Sequence, residues 1–209
     1  MGAQLAQMGM GVADTVMAGR YDSDDLAGVA LGSSILWPTL ILFMGVIQAV
    51  TPTVSQLNGS RSYSEIGEVI RQGIWMALFG GAAIFFILNN IGPVYELMRV
   101  DPAAVAIALP YLSMASYGLP ALMVFFCLRF LSDGMGYTRP ALIISVTALA
   151  IKIPINYVLI YGKFGLPELG GVGCGVAQAI VMWLQLFLIL IVVSRERFAP
   201  TNWKSQFSL

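Results

Sequence analysis

The sequence predicts an all-α polytopic membrane protein, a bundle of six transmembrane helices, and three observations carry that expectation. Mean hydropathy is +0.81, with 58% hydrophobic and 11% charged residues, a composition far from that of soluble domains. The charges are segregated, with none in 26–60, 72–95, 102–128 or 169–194. Each of these intervals exceeds the roughly 20 residues a helix needs to cross about 30 Å of hydrocarbon. They also lack the alternating segments of about 10 residues that build a membrane barrel, the other structure that satisfies its backbone inside lipid.

Taken in order, the first expected span, 1–19, is apolar apart from Gln4, Gln7 and Asp14 and lacks a basic flank, so it reads as a helix whose beginning is missing. The second, 28–55, holds Pro38 and Pro52, and Gly28 and Gly32 lie four apart on one face, which permits close packing. The third covers 70–94 and is free of charge from Gln72 onward. The fourth, 103–128, carries Pro110 and Pro120. In the fifth, 140–162, a stretch of 23 residues, Lys152 is the only charge, and Pro154 follows it. The sixth, 172–194, begins amid the glycine pair Gly171 and Gly175, four apart on one face, and bears Gln178 and Gln185. Each interior proline removes a backbone donor and clashes with the carbonyl four residues earlier, so kinks are expected unless the proline lies in a first turn. Connectors are too short to hold a soluble domain, so residues 1–209 form a single membrane domain.

Lysine and arginine set the orientation, because the side retaining more of them is usually cytoplasmic. Segments after the second, fourth and sixth spans carry Arg61, Arg71, Arg129, Arg139, Arg195, Arg197 and Lys204, against Arg20, Arg99 and Lys163 on the other side. Both chain ends are expected in the cytoplasm, and the Asp22, Asp24, Asp25 connector outside. A cysteine at Ser23 should therefore react with an impermeant thiol reagent from outside, while a reporter fused after Arg197 reads cytoplasm. The reverse labelling pattern would overturn the orientation and the span count.

Several chemistries are absent. Histidine does not occur, so histidine triads, HExxH zinc sites and histidine haem ligands are excluded. Cys127 and Cys174 are isolated and form no metal motif. The run Gly170, Gly171, Gly173, Gly175 fits neither GxGxxG nor GxxxxGK. No catalytic residues, cofactor or fixed metal are expected, and a net charge of zero argues against nucleic acid as a partner. Membrane lipid is the expected surrounding.

What remains are polar groups at membrane depth. A lysine at a helix centre costs roughly 2.5–3.5 kcal/mol on insertion scales, and such residues face bundle interiors or watery paths. Lys152 and Asn156 are four apart and share a face, with Pro154 between them in sequence. Asp14 lies five residues before Gly19. Structural readings stand beside these: Asp14 as an interfacial partner of Arg20, Lys152 snorkelling to a headgroup, Asn156 satisfying a proline-broken backbone, and Gln178 and Gln185 as interhelical hydrogen-bonding groups. The functional reading joins Asp14 on the first span with Lys152, Pro154 and Asn156 on the fifth as one polar constellation, to which Gln178 and Gln185 add amides on the sixth, together lining a path or cavity.

Gly9-Met10-Gly11-Val12-Ala13-Asp14-Thr15-Val16-Met17-Ala18-Gly19, Asp25-Leu26-Ala27-Gly28-Val29-Ala30-Leu31-Gly32, Gln56-Leu57-Asn58-Gly59, Ile153-Pro154-Ile155-Asn156-Tyr157 and Glu168-Leu169-Gly170-Gly171-Val172-Gly173-Cys174-Gly175-Val176-Ala177 together resemble the NorM branch of the multidrug and toxic compound extrusion (MATE) family. The resemblance runs from the first residues to about Arg197. It implies a twelve-helix antiporter of two six-helix lobes in the bacterial inner membrane, exporting organic cations in exchange for H+ or Na+. On this reading the chain is the amino-terminal lobe and the carboxy-terminal lobe is its missing partner. Asp14 aligns with an acidic first-helix residue implicated in cation coupling, near which Na+ binds transiently, and Asn156 with a polar position beside it. Lys152 departs from the pattern, standing where relatives commonly carry Asn. The alternatives are a non-transporting assembly or scaffold lobe that dimerises, and a homodimeric half transporter.

Overall fold

The computed structural model describes residues 2–165 and 167–194. Arg195, Arg197 and Lys204, three of the residues that set the expected orientation, lie outside them. The described residues include nine α-helices, joined by turns and one short 3-10 segment (Lys163–Gly165): α1 (Gly2–Tyr21), α2 (Ser23–Ile47), α3 (Val50–Gly59), α4 (Tyr63–Asn89), α5 (Gly92–Leu97), α6 (Pro102–Ser116), α7 (Leu119–Gly134), α8 (Arg139–Ile160) and α9 (Gly171–Val193). Four paths are long and apolar enough to cross a membrane: α2 with α3, then α4, α8 and α9. The pair α6 and α7, bent by 52°, makes a fifth. The expected first span coincides with α1, whose 20 residues reach about 30 Å at 1.5 Å per residue, but it is not among these long apolar paths. It is less apolar than the others and packs along α8 and α2.

Helix starts follow from their residues. Asp22 caps α2, its carboxylate accepting from the Asp24 amide at 3.4 Å, and Asp24 and Asp25 occupy the first turn, where the helix dipole favours negative charge. Asp101 caps α6 by accepting from the Ala103 amide at 3.1 Å, and Pro102 sits in the first turn, where its missing N–H costs nothing.

The prolines behave unequally. The second span breaks at Gln48–Ala49 and the fourth at Tyr117–Gly118, so Pro52 and Pro120 each fall in the first turn of the helix that follows. Each break lies at the carbonyl a proline ring would strike, three to four residues upstream. At the second break the Trp183 indole donates to the Tyr117 carbonyl at 3.2 Å. Pro38, Pro110 and Pro154 remain inside uninterrupted helices. The helix α7 continues to Gly134, past residue 128, and within it Arg129 faces Asp133 one turn on, at 3.8 Å.

The helix α6 sits between two glycine seams. A Cβ on Gly28 would stand 2.5 Å from the Ile107 Cβ, and one on Gly32 2.5 Å from the Tyr111 ring. From the other side, Gly171 abuts Ile107 and a Cβ on Gly175 would lie 2.5 Å from the Tyr111 carbonyl oxygen. Glycine pairs four apart thus let α2 and α9 close on one face pattern of α6. The main core, including Leu36, Leu40, Tyr111, Phe125 and Met182, fills the space among α2, α4, α6, α7 and α9.

Candidate functional site

Three helices bring polar side chains to one buried point. Asp14 of α1 is 4% exposed, and Lys152 and Asn156 of α8 are fully buried. The Lys152 ammonium donates to Asp14 Oδ2 at 2.7 Å, to the Gln178 side-chain carbonyl from α9, and to the Met10 backbone carbonyl at 3.5 Å. Its three protons thus have three oxygen acceptors. The Asn156 amide donates to the other carboxylate oxygen, Oδ1, at 2.6 Å. Spacing explains the convergence: Met10 and Asp14 are one turn apart on α1, as are Lys152 and Asn156 on α8.

The cluster is electrically neutral and enclosed, so its attraction operates at low dielectric while both ions have lost water. Such a pair is costly to break from one side, because the partner remains as an uncompensated buried charge. Asn156 Oδ1 has no hydrogen-bond partner among the described residues, and Cys174 approaches the Asp14 backbone carbonyl at 4.0 Å.

The other expected site residues lie elsewhere. Gln185 is buried but sits two turns along α9 from Gln178. Pro154 is exposed on a different face of α8 from Lys152 and Asn156. None of Pro154, Gln178 and Gln185 lines the open groove that runs between α1, α2 and α7, whose volume is about 680 Å³. Met8, Val12, Trp37, Met44 and Phe126 make that groove apolar and aromatic, with Gln7, Thr15 and Ser33 as its polar points. Sequence reasoning did not single these residues out. The only local signal is the Met8, Val12, Val16 stripe at helical spacing on α1, which also fits a lipid-facing stripe. One helix therefore serves two sites, with Asp14 on its inner face and the groove wall on its outer one.

A family model described as MatE matches residues 1–158, three quarters of the chain. The chain belongs to the MatE family. Multidrug resistance protein MdtK of Yersinia pestis (strain Pestoides F) is 43% identical over 213 residues, covering 97% of this chain and 47% of that protein. MdtK of Yersinia pseudotuberculosis serotype O:1b (strain IP 31758) gives the same values. The chain thus spans about half the length of the curated relatives it matches. Among solved structures, the eukaryotic MATE transporter AtDTX14 superimposes with a TM-score of 0.88 at 19% identity, covering 96% of this chain and 44% of that one. An inward-facing multidrug resistance MATE family transporter gives 0.86 at 18% identity, covering 96% and 45%. These structural likenesses speak to the fold alone, and the chain superimposes on a little under half of each of those structures. MatE proteins are membrane transporters rather than enzymes, in keeping with the absence of any expected catalytic residue.

Proposed function

We propose that this chain is the amino-terminal lobe of a multidrug efflux antiporter of a bacterial inner membrane, with both ends cytoplasmic, which exports organic cations against protons. The carrying observation is the position of Asp14 on α1. Its carboxylate is held by Lys152 and Asn156 on one side of the helix, while the other side of the same helix walls an aromatic, methionine-rich groove. Such a surface suits large apolar cations, and the matched relatives are multidrug resistance proteins.

Charge balance supplies the coupling. With Asp14 ionised the cluster is neutral, and a cationic drug in the groove meets no net repulsion. Protonating Asp14 leaves the Lys152 ammonium uncompensated, raises the site to one positive charge, and disfavours the drug cation across α1. Proton and drug then compete, which is the thermodynamic requirement of antiport. The same protonation removes the strongest tie between α1 and α8, freeing α1 to shift. Sodium is disfavoured as the coupling ion, because it seeks oxygen ligands and the ammonium already occupies them with a repelling charge.

The test uses the complete transporter, this chain with its second lobe, reconstituted in vesicles with a fluorescent cationic dye. Export should follow an imposed pH gradient at zero sodium. Export driven by sodium alone, without response to pH, overturns proton coupling and makes Lys152 a structural partner.

A further inference from the structure

On α8 and α9, two buried polar atoms lie outside the cluster and take no part in it. Ser145 of α8 is fully buried and Gln185 of α9 is 2% exposed, and neither Ser145 Oγ nor Gln185 Nε2 has a hydrogen-bond partner among the described residues. Helix register brings them to one level. The helices α8 and α9 run antiparallel, with Lys152 bonded to Gln178 and Gly173 packed on the Leu159 backbone. Stepping back seven residues from Lys152 reaches Ser145, and stepping forward seven from Gln178 reaches Gln185. Each step is two turns, about 10 Å. On α1, parallel to α8, the same step back from Asp14 reaches Gln7, half-buried at the groove wall. Met10, Ala148 and Val181 pack together one turn from the cluster, separating the two polar levels.

We propose that Ser145 and Gln185 hold buried water, and that this second polar level relays protons between Asp14 and the end of the lobe where α8 begins. Buried polar atoms without partners call for water where space and partners allow. The chemistry of the two residues divides the work. A serine hydroxyl both donates and accepts, so a proton moves along it by exchanging one O–H bond for another. The Gln185 amide only donates from Nε2, so it orients the water and carries no proton. The Met10 layer is the barrier that α1 must displace for the relay to reach Asp14, whose titratable and charged surroundings are Lys152, Cys174 and Tyr111. The relay rests on the proton-coupled reading above, whereas the water layer does not.

Radiolytic hydroxyl labelling of the unmodified complete transporter, with no gradient applied, reads the water directly. Met10 is 4% exposed and should nonetheless be oxidised, because radicals form on adjacent buried water. The double variant Ser145→Ala with Gln185→Leu should abolish that labelling and slow pH-driven dye export at least about tenfold, a modest share of what positioned proton-transfer groups contribute. Dye affinity should stay unchanged, and Ser145→Thr, which keeps the hydroxyl, should stay near the parental rate. An unlabelled Met10 in the unmodified protein overturns the water layer, and parental export by the double variant overturns the relay. Labelled Met10 in a transporter that ignores pH sinks the coupling reading and the relay that rests on it, and leaves the water layer standing.

Discussion

Asp14→Asn should remove most of the resistance conferred by the complete transporter while the protein still reaches the membrane. The amide is nearly isosteric and retains one carbonyl acceptor, and the Lys152 ammonium keeps the Gln178 and Met10 carbonyls as partners. What is lost is the counter-charge and the titrating group. Leaving one charge of a buried pair alone costs roughly 3–5 kcal/mol, so the thermal midpoint in detergent should fall although the fold survives. The double variant Asp14→Asn with Lys152→Asn removes both charges and should recover most of that midpoint, since a buried pair replaced as a unit is often nearly neutral. Resistance should not return with it. Membrane abundance, melting and growth under drug, measured together, separate folding from coupling. A single variant that exports like the parent would reduce Asp14 to a structural anion.

The second large effect is a change of ion. Lys152→Asn exchanges an ammonium for an amide at a point already surrounded by oxygens from Asp14, Gln178 and Met10, with the Asn156 carbonyl oxygen one turn away and unpartnered among the described residues. That donor set suits a hard monovalent cation. Export by this variant should gain a response to sodium at constant pH and lose part of its response to a pH gradient. Dye efflux from vesicles under separately imposed gradients measures both. A variant with undiminished pH dependence and no sodium response would show that the lysine does not decide the ion.

The spans were legible because lipid imposes one simple rule on composition, and the charge-free intervals state it directly. Their interruptions were not. Pro38, Pro52, Pro110, Pro120 and Pro154 look alike in sequence, yet breaks occur only beside Pro52 and Pro120. Whether a helix yields depends on partners for the freed carbonyls, such as the Trp183 indole that meets Tyr117, and these come from distant helices. The cluster was half legible for the same reason. Spacing put Lys152 and Asn156 on one face, but Arg20 was as available to Asp14 as Lys152 until packing set α1 beside α8. Gln178 and Gln185 share a face by period, and only depth along α9 sends one into the cluster and the other two turns away. The groove was invisible because its walls come from three helices and no one of them carries its pattern.

The glycine seams around α6 fix more than distance. Ile107 meets Gly28 and Gly171, and Tyr111 meets Gly32 and Gly175, so α2, α6 and α9 run parallel and share one end for their N-termini. Neighbouring helices in most bundles cancel one another's macrodipoles, whereas three parallel ones in contact add theirs and repel. Each of these N-termini has a carboxylate: Asp24 and Asp25 in the first turn of α2, Asp101 capping α6, and Asp25 again accepting from the Gly171 amide of α9 at 2.7 Å. The acidic loops at that end are thus counter-charges to a locally polarised half of the lobe. Close packing through glycine creates a field, and the acidity of the connectors at that end offsets it.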